Sequence, residues 1–402
     1  MRITRTDKFI ILAVLISMLA IGLAGNITQH LRGVPAPLKA QISYQLQQST
    51  ATVNLSWPSS GQAAIGAKGF GVLSTSGVST PVPTASIAKL ITALAVLKVK
   101  PIPTSTQGPS LLLGQADLDI YHNYASLGGS VIPVVIGEQL TEYQMLQAML
   151  LPSANNFADS LAIWAFGSLT NYANYANRML AEAKLLNTHV GSDASGFSPT
   201  TTSTASDLVL LGELALADPI ISEITAQPTA VLPIIDTVKN VNWLLGTAGI
   251  NGLKTGNSDQ AGGAFLFSAN YSVSPTYSIT IIGSVMKASD LKDAMDKSLA
   301  LLTSSQKAFS LNTVIYAGQI VGTYQVPWGS AVSVSASSDV KALAWQGKII
   351  DQPAIKLKDL KAPVDKNSSV GTIKTVTSST QVSINLDQPI TKPSLWWRLT
   401  HN

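Results

Sequence analysis

Pro83-Thr84-Ala85-Ser86-Ile87-Ala88-Lys89-Leu90-Ile91-Thr92-Ala93-Leu94-Ala95-Val96-Leu97 is the stretch on which the reading of this chain turns. It reads as a helix that is apolar over most of its surface, and such a helix belongs inside a core. Ser86 stands near its start and Lys89 three residues on, so hydroxyl and ammonium share one face. A lysine in apolar surroundings loses hydration, which favours its neutral form. A neutral amine beside a hydroxyl takes the proton and activates the oxygen. Backbone N–H groups at the helix start favour negative charge developing there. The plainer alternative is a capping serine and a snorkelling lysine. The rest of the chain has to separate the two.

With 402 residues the chain is long enough for two or three domains. It is 46% hydrophobic and only 12% charged, where soluble domains carry roughly 25% charged residues. Ser, Thr, Ala and Gln fill the missing places, as on an extracytoplasmic surface. Cysteine is absent, which excludes disulfides, thiolate catalysis and cysteine-ligated metals. The formal net charge of +4 is small, and no Lys/Arg cluster marks a nucleic-acid face. The four histidines include no ligand-like pair, so neither a metal nor another cofactor is expected.

Arg2, Arg5 and Lys8 precede an uncharged apolar run from Phe9 to Ala24. Basic residues ahead of an apolar segment stay in the cytoplasm and send the following chain outward. Residues 1–32 are therefore expected to be a signal or anchor segment. A retained anchor is favoured, with cleavage after Gly22-Leu23-Ala24 as the alternative. Residues 33–40, with Pro35 and Pro37, read as a linker.

The apolar runs 52–57 and 63–73, separated by Pro58-Ser59-Ser60-Gly61, suggest an early hairpin. Residues 101–137 are rich in Pro, Gly and Ser and suggest loops with short elements. Thr141 is a candidate cap for a helix with Met145, Leu146, Met149 and Leu150 on its apolar face. Pro152 interrupts that pattern, and Ser153-Ala154-Asn155 reads as a turn before a helix from Asn156 to Phe166. Helices are also expected from Thr170 to Leu186 and from Asp207 to Leu216, with a turn at Asp193-Ala194-Ser195-Gly196 between them. Gly262 to Ser268 and Tyr277 to Val285 read as a hairpin, with Lys254-Thr255-Gly256 just ahead of its first arm. Leu291, Met295, Leu299 and Leu302 mark one face of a further helix. These elements give an α+β body over 33–310. From 311 to 402 short strand-like runs alternate with turns: Thr313–Tyr316, Ile320–Val326, Val332–Ser335, Val370–Val376 and Val382–Leu386. They predict a small all-β domain. The terminal Leu395-Trp396-Trp397-Arg398-Leu399 is expected to pack its tryptophans in a core, with membrane contact as the lesser alternative.

Three polar clusters follow in order: Ser86/Lys89, Ser153/Asn155 and Lys254-Thr255-Gly256. Ser86 and Ser153 are 67 positions apart, and Ser153 and Lys254 are 101 apart. The set resembles the serine–x–x–lysine, serine–aspartate–asparagine and lysine–threonine–glycine motifs of penicillin-binding proteins and β-lactamases, matching the first and third fully and the second with Ala154 in place of the aspartate. The spacing is similar to that of the low-molecular-mass penicillin-binding proteins, the serine-type D-alanyl-D-alanine carboxypeptidases. Trp57-Pro58, Gly61 to Gly66, Asp193-Ala194-Ser195-Gly196-Phe197-Ser198 and Thr204 to Leu208 extend the resemblance to roughly residues 38–305.

The resemblance implies an antiparallel sheet packed with helices, and roles for particular residues. Ser86 would be the acylated nucleophile and Lys89 its general base. Ser153 would relay a proton to the leaving amine, and Asn155 would bind the substrate backbone. Lys254 would supply positive potential near Ser153 and the substrate carboxylate, to which Thr255 would donate. Gly256 would permit close approach at the strand edge. The N–H groups of Ser86 and Asn257 would form the oxyanion hole. The implied reaction removes the terminal D-Ala from peptidoglycan stem peptides, and β-lactams would trap Ser86. Asn257 stands where many such carboxypeptidases carry histidine or phenylalanine. A β-lactamase of the same fold is a rival, but its glutamate–x–x–leucine–asparagine loop is missing. Glu182 precedes Leu186-Asn187 by one place too many, in an apparently helical stretch. A transpeptidase or endopeptidase would use the same residues, and a non-catalytic wall-binding protein would keep the fold alone.

Overall fold

The computed structural model describes residues 5–32, 36–103, 105–233, 236–376 and 381–401. Arg2 of the basic flank and the linker's Pro35 lie outside the described residues. The chain divides into two compact units, one of residues 50–310 with Trp345–Gly347, the other of 1–49, 311–344 and 348–402.

The unit of residues 50–310 is built on a five-stranded antiparallel sheet. Its order is Ile250–Ser258, Gly262–Ser274, Tyr277–Ala288, Gln62–Ala67, Gly71–Ser76. The chain thus brings an early hairpin beside a late three-stranded meander, with Gly283 opposite Ile65 across the junction. Both arms of the early hairpin come from 62–76, and residues 52–57 form no strand. Gly69 and Gly71, at φ +85° and +65°, make the turn there instead of the Pro58–Gly61 segment. Lys254 and Thr255 likewise lie within a strand of their own, paired with Leu266 and Phe265, rather than ahead of a hairpin.

Helices fill the sequence between the two sets of strands. Ala88–Val99 runs through their middle, and Leu90, Ile91, Ala93, Ala95 and Val96 are wholly inaccessible. At about 1.5–3 kcal/mol for each large side chain so buried, this helix belongs to the interior whatever its intrinsic propensity. The helix Glu142–Leu150 starts at Thr141, which caps Gln144 N–H, while Gln144 reaches back to the Thr141 N–H. Asn155–Phe166, Leu169–Glu182 and Ala205–Ala217 follow, and Leu291–Gln306 packs on the sheet. A helix at Gln115–Ser126 was not expected in the loop-like 101–137 region. Its apolar contribution is small, with Tyr124 its one buried residue, so the hydrophobic period is too weak to read. The helix expected to Leu186 ends at Glu182, and Lys184 follows with φ +63°.

The other unit holds a six-stranded antiparallel sheet in the order Ala40–Ile42, Ile320–Tyr324, Val332–Ala336, Val382–Leu386, Ser369–Lys374, Ala354–Leu357. Val332, Val334 and Ala336 point inward while Ser333 and Ser335 are half-buried, the period-two pattern of a one-sided strand. The expected core role of the terminal tryptophans does not hold for Trp396, which is 76% exposed on the short helix Leu395–Thr400. Trp397 is half-buried and meets Trp328 edge-on. A helix at Arg5–Arg32 carries the apolar run, and Arg5–Asn26 is long and apolar enough to cross a membrane.

Candidate active site

Ser86 sits in a single 3-10 turn, Ala85–Ile87, that leads directly into the buried helix. Ala85 holds φ +45°, a conformation rarely adopted by residues with a side chain. Two glycines crowd this turn from either side. A Cβ on Gly196 would fall 2.1 Å from the Ala85 carbonyl oxygen, and one on Gly256 would fall 2.7 Å from that of Thr84. The Ser86 turn is therefore clamped between the 193–198 turn and the edge strand of the sheet. Gly256 is required by contact with the protein's own backbone.

Lys89 is completely buried. Its Nζ lies 2.8 Å from Ser86 Oγ, 2.7 Å from Asn155 Oδ1 and 3.0 Å from the Ser195 carbonyl oxygen. Burial holds its pKa well below the usual lysine value, and the Lys254 charge pushes in the same direction, against Asp193 and Asp159. Lys89 and Lys254 therefore share one electrostatic neighbourhood. Lys254 is itself buried, which lowers its amine to about 7, and its Nζ donates to the Thr255 carbonyl at 3.2 Å. Ser86 remains partly open to solvent.

Ser153 occupies the bend between two helices with φ +67°, buried, and its Oγ has no hydrogen-bond partner. Asn155 opens the next helix, and its N–H donates to the Ser130 carbonyl at 2.7 Å. Thr255 is buried and Asn257 is exposed on the edge strand. Glu182 is exposed, its carboxylate 4.0 Å from Lys98 Nζ, and the Asn187 N–H donates to Asp207 at 2.8 Å.

Several residues of this network stand outside the site residues expected from the sequence, although Asp193 belongs to a turn that the sequence does mark. Asn156 makes a backbone-like pair with Ile132, accepting from its N–H and donating to its carbonyl. Asp193 Oδ1 accepts from the N–H groups of Ser195, Gly196 and Phe197, and Oδ2 from that of Ser198. Asp159 and Tyr124 lie behind that turn. Among the described residues, no group of His, Asp and Glu is placed to hold a metal ion.

An antiparallel sheet with a buried serine–lysine helix across it, met by a serine–x–asparagine bend and a lysine–threonine–glycine edge strand, defines the fold class of serine acyl-transfer enzymes that react with penicillin. Residues 60–289, more than half of the chain, match the D-alanyl-D-alanine carboxypeptidase family, and the chain belongs to it. It is 27% identical over 258 residues to the D-alanyl-D-alanine carboxypeptidase DacA of Escherichia coli, covering 61% of this chain and 62% of that relative. A shorter match, 36% over 101 residues, is to DacB2 of Mycobacterium tuberculosis, covering 24% of this chain and 34% of that one. Among solved structures, a peptidoglycan synthesis regulatory factor (PBP3) from Streptococcus pneumoniae superposes with a TM-score of 0.62 at 20% identity. That superposition covers 84% of this chain and all of the other. The Streptomyces K15 DD-transpeptidase gives 0.54 at 21% identity, over 64% of this chain and 98% of its own. At these identities the structural likenesses establish the fold.

Proposed function

We propose that this chain is a serine DD-peptidase that removes the terminal D-Ala from peptidoglycan stem peptides through an acyl-enzyme on Ser86. The observation that carries the reading is the set of partners around Lys89 Nζ. Two of the three, the Asn155 amide oxygen and the Ser195 carbonyl, only accept. A neutral amine has two N–H groups for them and one lone pair left over. Nζ lies 2.8 Å from Ser86 Oγ, so with the amine neutral the Ser86 hydroxyl becomes the donor and the lone pair its acceptor. The geometry supports proton transfer from Ser86 Oγ to Lys89 Nζ, and burial keeps Lys89 neutral enough to receive it.

In the reaction, Ser86 Oγ bonds to the carbonyl carbon of the last peptide bond as its proton passes to Lys89. The carbon–nitrogen bond then breaks, and the D-Ala amine leaves with a proton relayed by Ser153. Water hydrolyses the remaining ester. Developing negative charge on the carbonyl oxygen is met by the N–H groups of Ser86 and Asn257, each such donor being worth about 3 kcal/mol. Contact of Gly256 with the nucleophile turn supports that pairing of donors. Residues 254–257 lie on a sheet edge, where an extended peptide adds as a further strand. Lys254 and Thr255 there receive the terminal carboxylate, and Asn155 orders Lys89 and the substrate backbone. A β-lactam presents a similar amide, and the exposed Glu182 leaves its ester without a deacylating carboxylate from that segment. The apolar helix, with Arg5 and Lys8 at its start, supports a membrane tether and an extracytoplasmic body.

Incubation with a penicillin followed by peptide mass spectrometry tests the reading. A stable adduct on Ser86, absent in Ser86→Ala, is expected. Release of D-Ala from a pentapeptide ending in D-Ala-D-Ala, without dimeric product, separates carboxypeptidase from transpeptidase action. A chain that takes no adduct would have to be a binding protein instead.

A further inference from the structure

The helix Asn155–Phe166 reaches Lys89 twice. Asn155 accepts directly from its Nζ, as described. One turn later on the same face stands Asp159, 5% exposed. Asp159 Oδ1 accepts the Ala194 N–H at 2.9 Å, and Ala194 immediately precedes the residue whose carbonyl is the other acceptor for Lys89. Asp159 Oδ2 accepts from the Tyr124 hydroxyl at 2.7 Å. Tyr124, from the helix Gln115–Ser126, receives the Ser195 hydroxyl at 3.4 Å and meets the Phe197 ring edge-on, 5.5 Å between centroids. Thr92, one turn beyond Lys89, braces the same peptide by donating to the Ala194 carbonyl at 2.6 Å. The two acceptors that orient the amine are thus fixed by one helix, and Asp159 is the joint between that helix and the turn.

We propose that Asp159 is a positioning residue for Lys89: it anchors the 193–198 turn through Ala194, so that Ser195 orients the amine, and its negative charge, beside that of Asp193, favours the protonated amine. The inference rests on Lys89 serving as base to Ser86. The charged and titratable groups around the pair are Lys254 on the edge strand, Asp193 in the turn, Tyr124, and Tyr172 behind Thr92. Burial pushes the Asp159 carboxyl up to about 6 and Asp193 adds to this, while Ala194, Tyr124 and Lys89 oppose it. Above that pH Asp159 is ionised and attracts a proton to Lys89.

The test is the rate of acylation of the full chain by a fluorescent penicillin, followed from about pH 5 to pH 10. Only neutral Lys89 activates Ser86, so the rate rises with pH along an acid limb. Asp159→Asn keeps an acceptor for Ala194 but loses the charge. Its acid limb is expected to move to lower pH by roughly one unit. Asp159→Ala loses the anchor as well, and its maximal rate is expected to fall about tenfold or more. Tyr124→Phe removes a hydrogen bond that favours the carboxylate, so it shifts the limb in the same direction by less. A purely structural role changes the amplitude and leaves the midpoint where it was. Asp159→Asn with the wild-type midpoint overturns the proposal, as does an unmoved midpoint in Tyr124→Phe should the first variant fail to fold. Failure of the wild-type chain to acylate at Ser86 at any pH overturns the underlying reading instead.

Discussion

Gly256→Ala probes the clamp on the Ser86 turn. The added Cβ would stand 2.7 Å from the Thr84 carbonyl oxygen, 3.2 Å from Ala85 Cβ and 3.4 Å from Ile87 Cγ1. The nearest of these is backbone, and the turn is also held from behind by Gly196, so relief has to come from the edge strand. That strand must retreat by about half an ångström to restore ordinary contact. Overpacking of this kind costs about 1–3 kcal/mol of stability. Its effect on chemistry is separate, because Lys254, Thr255 and Asn257 move with the strand relative to Ser86. A misplacement of about 1 Å lowers rates by about 10²-fold, so about tenfold is expected here. Acylation by a fluorescent penicillin gives the rate and thermal unfolding gives the stability. An acylation rate within about twofold of wild type, in a variant with lowered melting temperature, would show that the approach of the strand does not set the reaction geometry.

Lys254→Met is expected to melt above wild type at pH 6, with the advantage shrinking toward pH 10. Burial lowers the folded amine to about 7 from its ordinary 10.5. The unfolded chain therefore binds the extra proton across that window, and wild-type stability rises with pH there, by a few kcal/mol in all. The same variant should weaken capture of substrates bearing a terminal carboxylate, read as a raised KM for D-Ala release. Glu142→Gln carries the opposite sign. The Glu142 side chain is buried with neither oxygen hydrogen-bonded, and burial pushes it up to about 7 from 4.5. The folded state holds a proton that the unfolded chain gives up between those values, so stability present below 4.5 is lost as pH rises through 7. Calorimetry should show Glu142→Gln melting higher than wild type at pH 8 and equal to it at pH 4; a gain at both would refute the electrostatic explanation.

The long apolar periods and the explicit caps were legible in the sequence. Thr141 announced its helix, and the Leu291–Leu302 face announced another, because each rests on neighbours three or four positions away. The elements that were misplaced depend on backbone geometry or on distant partners. The early hairpin turned at Gly69 and Gly71 rather than at the proline-containing segment. The helix Gln115–Ser126 has one buried residue, Tyr124, whose hydroxyl partner Asp159 is 35 positions away.

By itself the sequence determined that a serine and a lysine lie three positions apart at the start of a helix apolar enough to bury the lysine, and that two further polar clusters follow at long intervals. Only the tertiary structure decided which atoms face Lys89 Nζ. A hydrogen-bonding geometry within about 3 Å is set by several segments packing at once. Asn155 comes from 66 residues away and the Ser195 carbonyl from 106. A backbone carbonyl has no letter in the sequence, and Asp159, which holds that carbonyl in place, looks from the sequence like any acidic residue on a helix.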